Sequence, residues 1–178
     1  MAVPGRADDA RGMDLGSLGA WFGPHHDDPT RIRFAAEAEA LGYGAVWLGV
    51  GRESSGDLRF FEDVLDATSG VVVASAIVNV FNNDPTVTAA GYRRIEARHP
   101  GRFLLGVGVG HPESISTYRK PYSALVEFLD VLDAGGVPAS RRVLGALGDR
   151  SLRLARDRSL GAHPYLTVRA VEIGRAHV

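Results

Sequence analysis

The chain contains no cysteine, which excludes disulfides, thiolate metal sites and cysteine nucleophiles. It has a single lysine, Lys120, placed in a predicted loop rather than at a strand end, which argues against Schiff-base chemistry of the aldolase kind. No stretch approaches the roughly 18 consecutive apolar residues of a membrane span, and the N-terminus lacks the apolar core of a signal peptide. A cytoplasmic location without a membrane partner is the expectation. Charge of one sign is missing too. The balance is −1, with 20 Lys plus Arg against 21 Asp plus Glu and no long basic run, so nucleic acid is not an evident partner. A small-molecule substrate is the natural ligand class. What the chain does have is 178 residues, 45% of them hydrophobic, which is enough for a real core, and 22 glycines.

Apolar strand-like runs alternate with helix-like segments. The predicted strands are residues 15–21, 45–48, 71–80, 103–109, 143–147 and 162–166. Asp28-Pro29 and Asp84-Pro85 each read as an N-cap followed by proline at the first helical position, opening helices toward Leu41 and Arg98. Phe34, Ala38 and Leu41 share one helix face, and Tyr122, Leu125, Leu129 and Leu132 share another. Gly42 and Gly101 supply stops before the strands that follow. Strict alternation with nearly continuous apolar strands predicts a parallel sheet covered by helices, either doubly wound or a (β/α)8 barrel. An open dinucleotide fold requires Gly-x-Gly-x-x-Gly after its first strand. Here that strand ends in Trp21-Phe22-Gly23-Pro24, and the barrel is favoured.

The densest signal is Arg102-Phe-Leu-Leu-Gly-Val-Gly-Val-Gly-His-Pro112, a strand closing on the alternating glycines Gly106, Gly108 and Gly110. Removing every other side chain from one face lets a flat ligand lie against the main chain. The same run also reads as a glycine-rich strand-to-helix turn with no ligand. His25-His26-Asp27-Asp28 holds metal-ligand residue types, but adjacent histidines point apart and Asp28 is useful as a cap, so no metal is expected.

The run His99-Pro-Gly-Arg-Phe-Leu-Leu-Gly-Val-Gly-Val-Gly-His-Pro112, together with Phe34-Ala-Ala-Glu-Ala-Glu-Ala-Leu-Gly-Tyr-Gly-Ala-Val-Trp47, Ala74-Ser-Ala-Ile-Val-Asn-Val80 and Ser159-Leu-Gly-Ala-His-Pro-Tyr165, resembles the bacterial-luciferase-like flavin and deazaflavin oxidoreductases, in particular the branch using coenzyme F-420. The resemblance covers most of residues 16–166. It implies a TIM barrel with a deazaflavin, or alternatively FMN, across the C-terminal ends of the strands, and a non-proline cis peptide behind the ring at Ser75-Ala76. It further implies hydride transfer between reduced F-420 and a small organic substrate, or monooxygenase chemistry with oxygen when the cofactor is FMN. By similarity the cofactor contacts are Ser75, Ala76, Ile77, Asn79, Gly108, Val109, Gly110 and His111, with Gly148 and Arg150 at a helix start for phosphate and His163 facing the same mouth. His111 is the expected catalytic histidine. Gly148-Asp149-Arg150-Ser151 reads equally as a helix cap with a solvated arginine. Family members place an acid or histidine after the second strand; this chain has Trp47-Leu-Gly-Val-Gly-Arg-Glu53, with Glu53 the nearest substitute, and that departure keeps a non-catalytic flavin-binding protein open. Relatives are often dimers, and a homodimer is the expected assembly.

About six βα units fall short of the eight that close a TIM barrel, so the fold expected is an incomplete barrel of the luciferase-like type. The organisation expected is an N-terminal extension over residues 1–12, a partial barrel over 13–166 with Met13 as natural start, and a non-native tail over 167–178. Glu172-Ile-Gly-Arg-Ala-His-Val178 can be encoded by a string containing a common sequencing-adapter sequence, which is the origin expected for that tail. A partial barrel leaves open sheet edges, so the purified chain is expected to self-associate and to be inactive. A monomeric species with a sharp thermal transition, seen by light scattering and calorimetry, contradicts that expectation.

Overall fold

A computed structural model describes residues 13–51, 56–110 and 120–164. Seven strands, β1 (Gly19–Phe22), β2 (Ala45–Leu48), β3 (Val72–Ser75), β4 (Val78–Asn79), β5 (Phe103–Gly108), β6 (Arg142–Leu144) and β7 (Gly161–Ala162), alternate with five helices. These are α1 (Asp28–Ala40), α2 (Arg59–Asp66), α3 (Pro85–Arg98), α4 (Pro121–Ala134) and α5 (Asp149–Arg158). The sheet runs β1-β2-β3-β5-β6-β7 with every ladder parallel, and β4 pairs with β5 further along the strand. Thus β3 and β4 are two halves of one strand position. Val73 and Ala74 lie beside Phe103 and Leu104, and Val78 and Asn79 lie beside Val107 and Gly108.

The period-two alternation of strand side chains divides the apolar residues between two faces. Val46, Leu48, Val73, Phe103, Leu105, Val107 and Leu144 pack outward against Ala35, Val64, Leu65, Ile95, Leu129 and Leu132 of the helices. Ala45, Val72, Ala74, Leu104 and Val143 form a smaller inner cluster, joined by Leu15 and Trp47. The sheet curls around that inner cluster. Trp47 on β2 stacks on His163 just after β7, with centroids 4.6 Å apart and planes 15° from parallel, although three strand positions separate their strands in the sheet. The architecture is a curled parallel half-barrel of the TIM type, as the alternation implied.

Several boundaries differ from expectation for identifiable reasons. The N-cap of α1 is Asp27, not Asp28: its Oδ1 accepts the Thr30 N–H at 2.8 Å, and Asp28, now inside the helix, pairs with Arg31 at 3.2 Å. Asp84 caps α3 as expected, accepting from Thr86 and Val87. Leu41 is 77% exposed, because α1 ends at Ala40 and the buried stripe is Arg31, Ala35 and Ala38. Phe34 is half-buried and stacks on Phe22 at 4.3 Å. Gly42, at φ +84°, ends that helix as foreseen. The first strand begins only at Gly19, since Gly16 (φ +66°) and Gly44 press backbone on backbone where pairing was expected. The fifth predicted strand is residues 142–144 rather than 143–147, and the last is Gly161–Ala162 rather than 162–166, of which residues 165 and 166 lie outside the described residues.

Charged side chains tie the chain together at the N-terminal ends of the strands. The Glu39 carboxylate accepts the N–H groups of Ser69, Gly70 and Val71 leading into β3. Arg102, before β5, donates to the Thr68 and Val71 carbonyls at 2.8 and 3.1 Å. Arg142, 1% exposed at the start of β6, donates to Asp133 at 2.5 Å and to the Arg158 carbonyl at 2.9 Å, and Arg158 returns to Asp130 and Asp133. Burial pushes the Glu39 carboxyl upward, yet the three backbone donors outweigh it and hold its pKa below the ordinary value. A carboxylate depressed in the fold contributes stability that is complete above its unfolded pKa and disappears as the pH falls through its folded value. Glu39→Gln is therefore expected to lower the thermal midpoint at neutral pH and to shrink the acid-induced loss, measured by calorimetry from neutral pH down through the carboxylate range.

Candidate functional site

Of the residues expected at the cofactor, the described ones stand at or just beyond the strand ends, and the first contact among them is between β3–β4 and β5. Ser75, fully buried, donates its hydroxyl to the Gly106 carbonyl at 3.0 Å and accepts the Gly106 N–H at 2.8 Å. Its side chain thus replaces the ladder pairing that stops at Ala74. The Ala76 N–H still reaches the Leu48 carbonyl at 2.8 Å. The non-proline cis peptide then falls at Ala76-Ile77, one bond beyond the expected Ser75-Ala76, because Ser75 and the Ala76 N–H remain committed to the neighbouring strands.

The three alternating glycines answer three residues of that strand. A Cβ at Gly106 would fall on the Ser75 carbonyl oxygen, one at Gly108 on Ile77 Cδ1 and one at Gly110 on Asn79 Nδ2. Residues 75, 77 and 79 therefore occupy the positions that glycines 106, 108 and 110 leave vacant. The flat ligand expected directly on that glycine face finds the adjacent strand there instead. Asn79 is likewise engaged: its Nδ2 donates to the Val109 carbonyl at 3.3 Å, its Oδ1 accepts the Phe81 N–H at 2.8 Å, and its carbonyl takes Asn83 Nδ2.

Room lies one strand further on. A Cβ at Gly145 would meet Ile77 Cδ1 at an ordinary 3.5 Å, and one at Gly148 would meet only the Ser151 hydroxyl at 3.9 Å. Gly148 caps α5, whose first turn carries Arg150, an exposed side chain with its guanidinium 3.7 Å above the Tyr122 ring. That stacking leaves the guanidinium edge available to an anion while fixing its plane. Val109 is half-buried and Gly110 exposed at the end of β5, so both stand at the mouth. His111 and Glu53 lie outside the described residues.

His163, at the same mouth, is held by its N–H to the Leu144 carbonyl at 2.8 Å and by the Trp47 ring. Burial pulls its pKa below the ordinary imidazole value. It is thus a neutral imidazole near pH 7. Trp47, present in the sequence motifs but not assigned a site role there, is the residue that sequence reasoning missed. Its signal was positional: a large ring at an inward strand position beside the small Ala74. On the other side of the mouth, His25-His26-Asp27-Asp28 is spent locally, with His26 stacked on Phe22 at 4.7 Å, Asp27 capping α1 and Asp28 paired with Arg31.

Taken together, the mouth offers backbone, small residues, a neutral imidazole and one exposed guanidinium. Among the described residues, no acid and base stand as a pair there. The arrangement can cradle a flat molecule and hold an anionic tail; its own side chains supply little reactivity. The residues therefore fit a ring-bearing cofactor with an anionic chain.

Comparison with known proteins follows the same line. The family model described as luciferase-like monooxygenase matches residues 17–135. No curated protein sequence matches the chain. Among solved structures, the coenzyme F420-dependent tetrahydromethanopterin reductase from Methanopyrus kandleri is similar at a TM-score of 0.68 and 16% identity, covering 83% of this chain and 55% of that one. Apo-MsnO8 matches at 0.64 and 18% identity, again over 83% and 55%. The oxygenating constituent of 3,6-diketocamphane monooxygenase from the CAM plasmid of Pseudomonas putida, a type II Baeyer–Villiger monooxygenase in complex with FMN, matches at 0.56 and 15% identity over 68% and 38%. The chain spans about half the length of the first two.

The glycine contacts yield a graded expectation for stability. Ser75→Ala orphans a buried N–H and is expected to cost about 1–3 kcal/mol. Gly106→Ala, whose new methyl meets a backbone oxygen, is expected to cost more than that, whereas Gly148→Ala, facing open space, is expected to change stability little. Urea unfolding of the three variants checks the order. For His163, a folded pKa below the unfolded one means that stability is complete above the ordinary imidazole pKa and declines as the pH falls through the folded value. His163→Gln is expected to remove that decline, read from the same unfolding curves between neutral and mildly acidic pH.

Proposed function

Because the chain belongs to the luciferase-like monooxygenase family, we propose that it carries the cofactor-binding strand ends of an F-420-dependent oxidoreductase that transfers hydride between the reduced deazaflavin and a small organic substrate. The observation that carries this reading is the chemistry of the mouth. Backbone and small residues at Ala76, Ile77, Gly145 and Gly148 make an uncharged cradle, with no acid–base pair among the described residues. A site of that kind relies on a bound group for its reactivity, and the deazaflavin ring supplies it as a hydride donor or acceptor.

The chain's own residues then have positional tasks. Ala76 and Ile77 back the ring, with Ser75 fixing them from behind through Gly106. Gly108, Val109 and Gly110, with Asn79 bracing their turn, form the wall beside it. Gly148 and Arg150 at the start of α5 take the phosphate of the cofactor chain, where free N–H groups and a guanidinium favour an anion. His163, kept neutral by burial, offers a hydrogen bond without adding charge beside the ring. His111, outside the described residues, is the catalytic histidine of this reading, able to move a proton. The similarity to the Methanopyrus kandleri reductase supports the deazaflavin over FMN, as do the sequence pieces resembling the F-420 branch. The similarity to an FMN-complexed monooxygenase defines the alternative, in which FMN and oxygen replace F-420.

Fluorescence titration of the purified chain with F-420, FMN and riboflavin tests the reading. Tighter binding of F-420 than of FMN is expected; the reverse order favours the monooxygenase, and no saturable binding of either overturns the cofactor site. Arg150→Ala is expected to weaken F-420 and FMN by about tenfold, some 1.4 kcal/mol, and to leave riboflavin, which has no phosphate, unchanged.

A further inference from the structure

Arg31 is a buried cation that the proposed cofactor contacts do not use. It sits in the first turn of α1, is 7% exposed, and lies with its guanidinium 3.9 Å above the Phe60 ring of α2. Its Nη1 donates to Asp28 at 3.2 Å, its Nη2 donates to the Gly49 carbonyl, and its Nε is buried without a partner. A guanidinium in such a setting has given up water on every side for one exposed carboxylate, one ring and one carbonyl. A solvated arginine gains far more from water, so the position is demanding and the carbonyl it selects is informative.

That carbonyl belongs to the residue at which β2 leaves the sheet. Gly49 donates its N–H to Phe22 at 2.9 Å, one step beyond the β1–β2 ladder, and a Cβ there would lie 2.6 Å from Pro24 Cδ. The end of β2 and the loop leaving β1 are therefore pressed together under Arg31. The connection from β2 to α2 is gripped at its other described end as well, where Arg94 donates to the Asp57 carbonyl at 2.6 Å and pairs with Glu62. Leu58, at φ 62°, then turns the chain into α2. Gly49 follows the C-terminal end of β2, so the described start of this connection stands at the strand-end face that holds the mouth.

We propose that Arg31 is a positioning residue: with its guanidinium seated on Phe60, it holds the Gly49 carbonyl and sets where the chain leaves β2 at the rim of the mouth. Its relevance to a cofactor rests on the proposed function above; the clamp itself does not. The bidentate reach and the flat face over Phe60 are both used, so lysine can restore only the charge and one hydrogen bond.

Amide hydrogen exchange by NMR on Arg31→Met and Arg31→Lys separates a local clamp from general support of the fold. In Arg31→Met, exchange at Gly49, Val50 and Gly51 is expected to rise about tenfold, with Val73 and Leu105 in β3 and β5 unchanged, as local opening requires. Arg31→Lys is expected to fall between wild type and Arg31→Met at the same three amides. A uniform rise across β3 and β5 overturns the proposal by making Arg31 a stability residue only, and no rise at Gly49 overturns it outright. F-420 titration of the same variants, expected to weaken in Arg31→Met, bears on the link to the mouth. If wild type binds neither F-420 nor FMN, the cofactor reading fails while the exchange pattern still decides the clamp.

Discussion

The interlock of residues 75, 77 and 79 with glycines 106, 108 and 110 is the constraint on which the rest of the fold depends. Two adjacent parallel strands ordinarily stand about 4.8 Å apart, with side chains alternating above and below. Here the third strand position swings into the space a side chain on β5 would fill, three times in succession. The Ser75 hydroxyl restores the pairing lost in that swing. A side chain at any of the three glycines would meet that strand, so β3–β4 and β5 can lie this close only while those positions stay bare. A local choice of residues with no side chain thereby sets the shape of the site.

The two ends of the sheet divide the labour. Glu39, Arg102, Arg142, Asp133 and Arg158 bind backbone and each other where the strands begin, and all but the exposed Asp133 are buried or half-buried. Where the strands finish, charge is scarce and glycine is common. TIM-type barrels keep stability at the N-terminal face and chemistry at the C-terminal face, and the charged network of this chain stands at the N-terminal face. Arg31 is a buried charge at the other end of the strands, shared among the Gly49 carbonyl, the Asp28 carboxylate and the Phe60 ring.

Much of the fold was legible because it rests on local rules. Proline after aspartate marked the starts of α1 and α3, apolar periodicity marked α4, and the continuous apolar runs marked a parallel sheet. The errors arose where tertiary contacts decide. Asp27 and Asp28 are equivalent as sequence, and only the Thr30 N–H selects one. Leu41 was placed on a buried face by its spacing, but the helix stops one residue short of it. The glycine run was correctly singled out and given the wrong neighbour: sequence shows that a face is bare, not what lies against it. Ile77 and Ser75 are plain in the sequence, but the pairing that sets them against Gly108 and Gly106 is non-local.

The Trp47–His163 stack carries this furthest. Neither residue is informative alone, since a tryptophan in a strand and a histidine before proline are each common. Curvature makes them meet, because only a sheet rolled about its inner cluster brings β2 within ring contact of the residue after β7. The meeting half-buries His163, and that burial pulls its pKa below the ordinary imidazole value. A neutral imidazole at the mouth is therefore a product of the fold's curvature rather than of any charged neighbour. The protonation state that suits a hydrogen bond to an uncharged ring is set by the same roll of the sheet that forms the mouth.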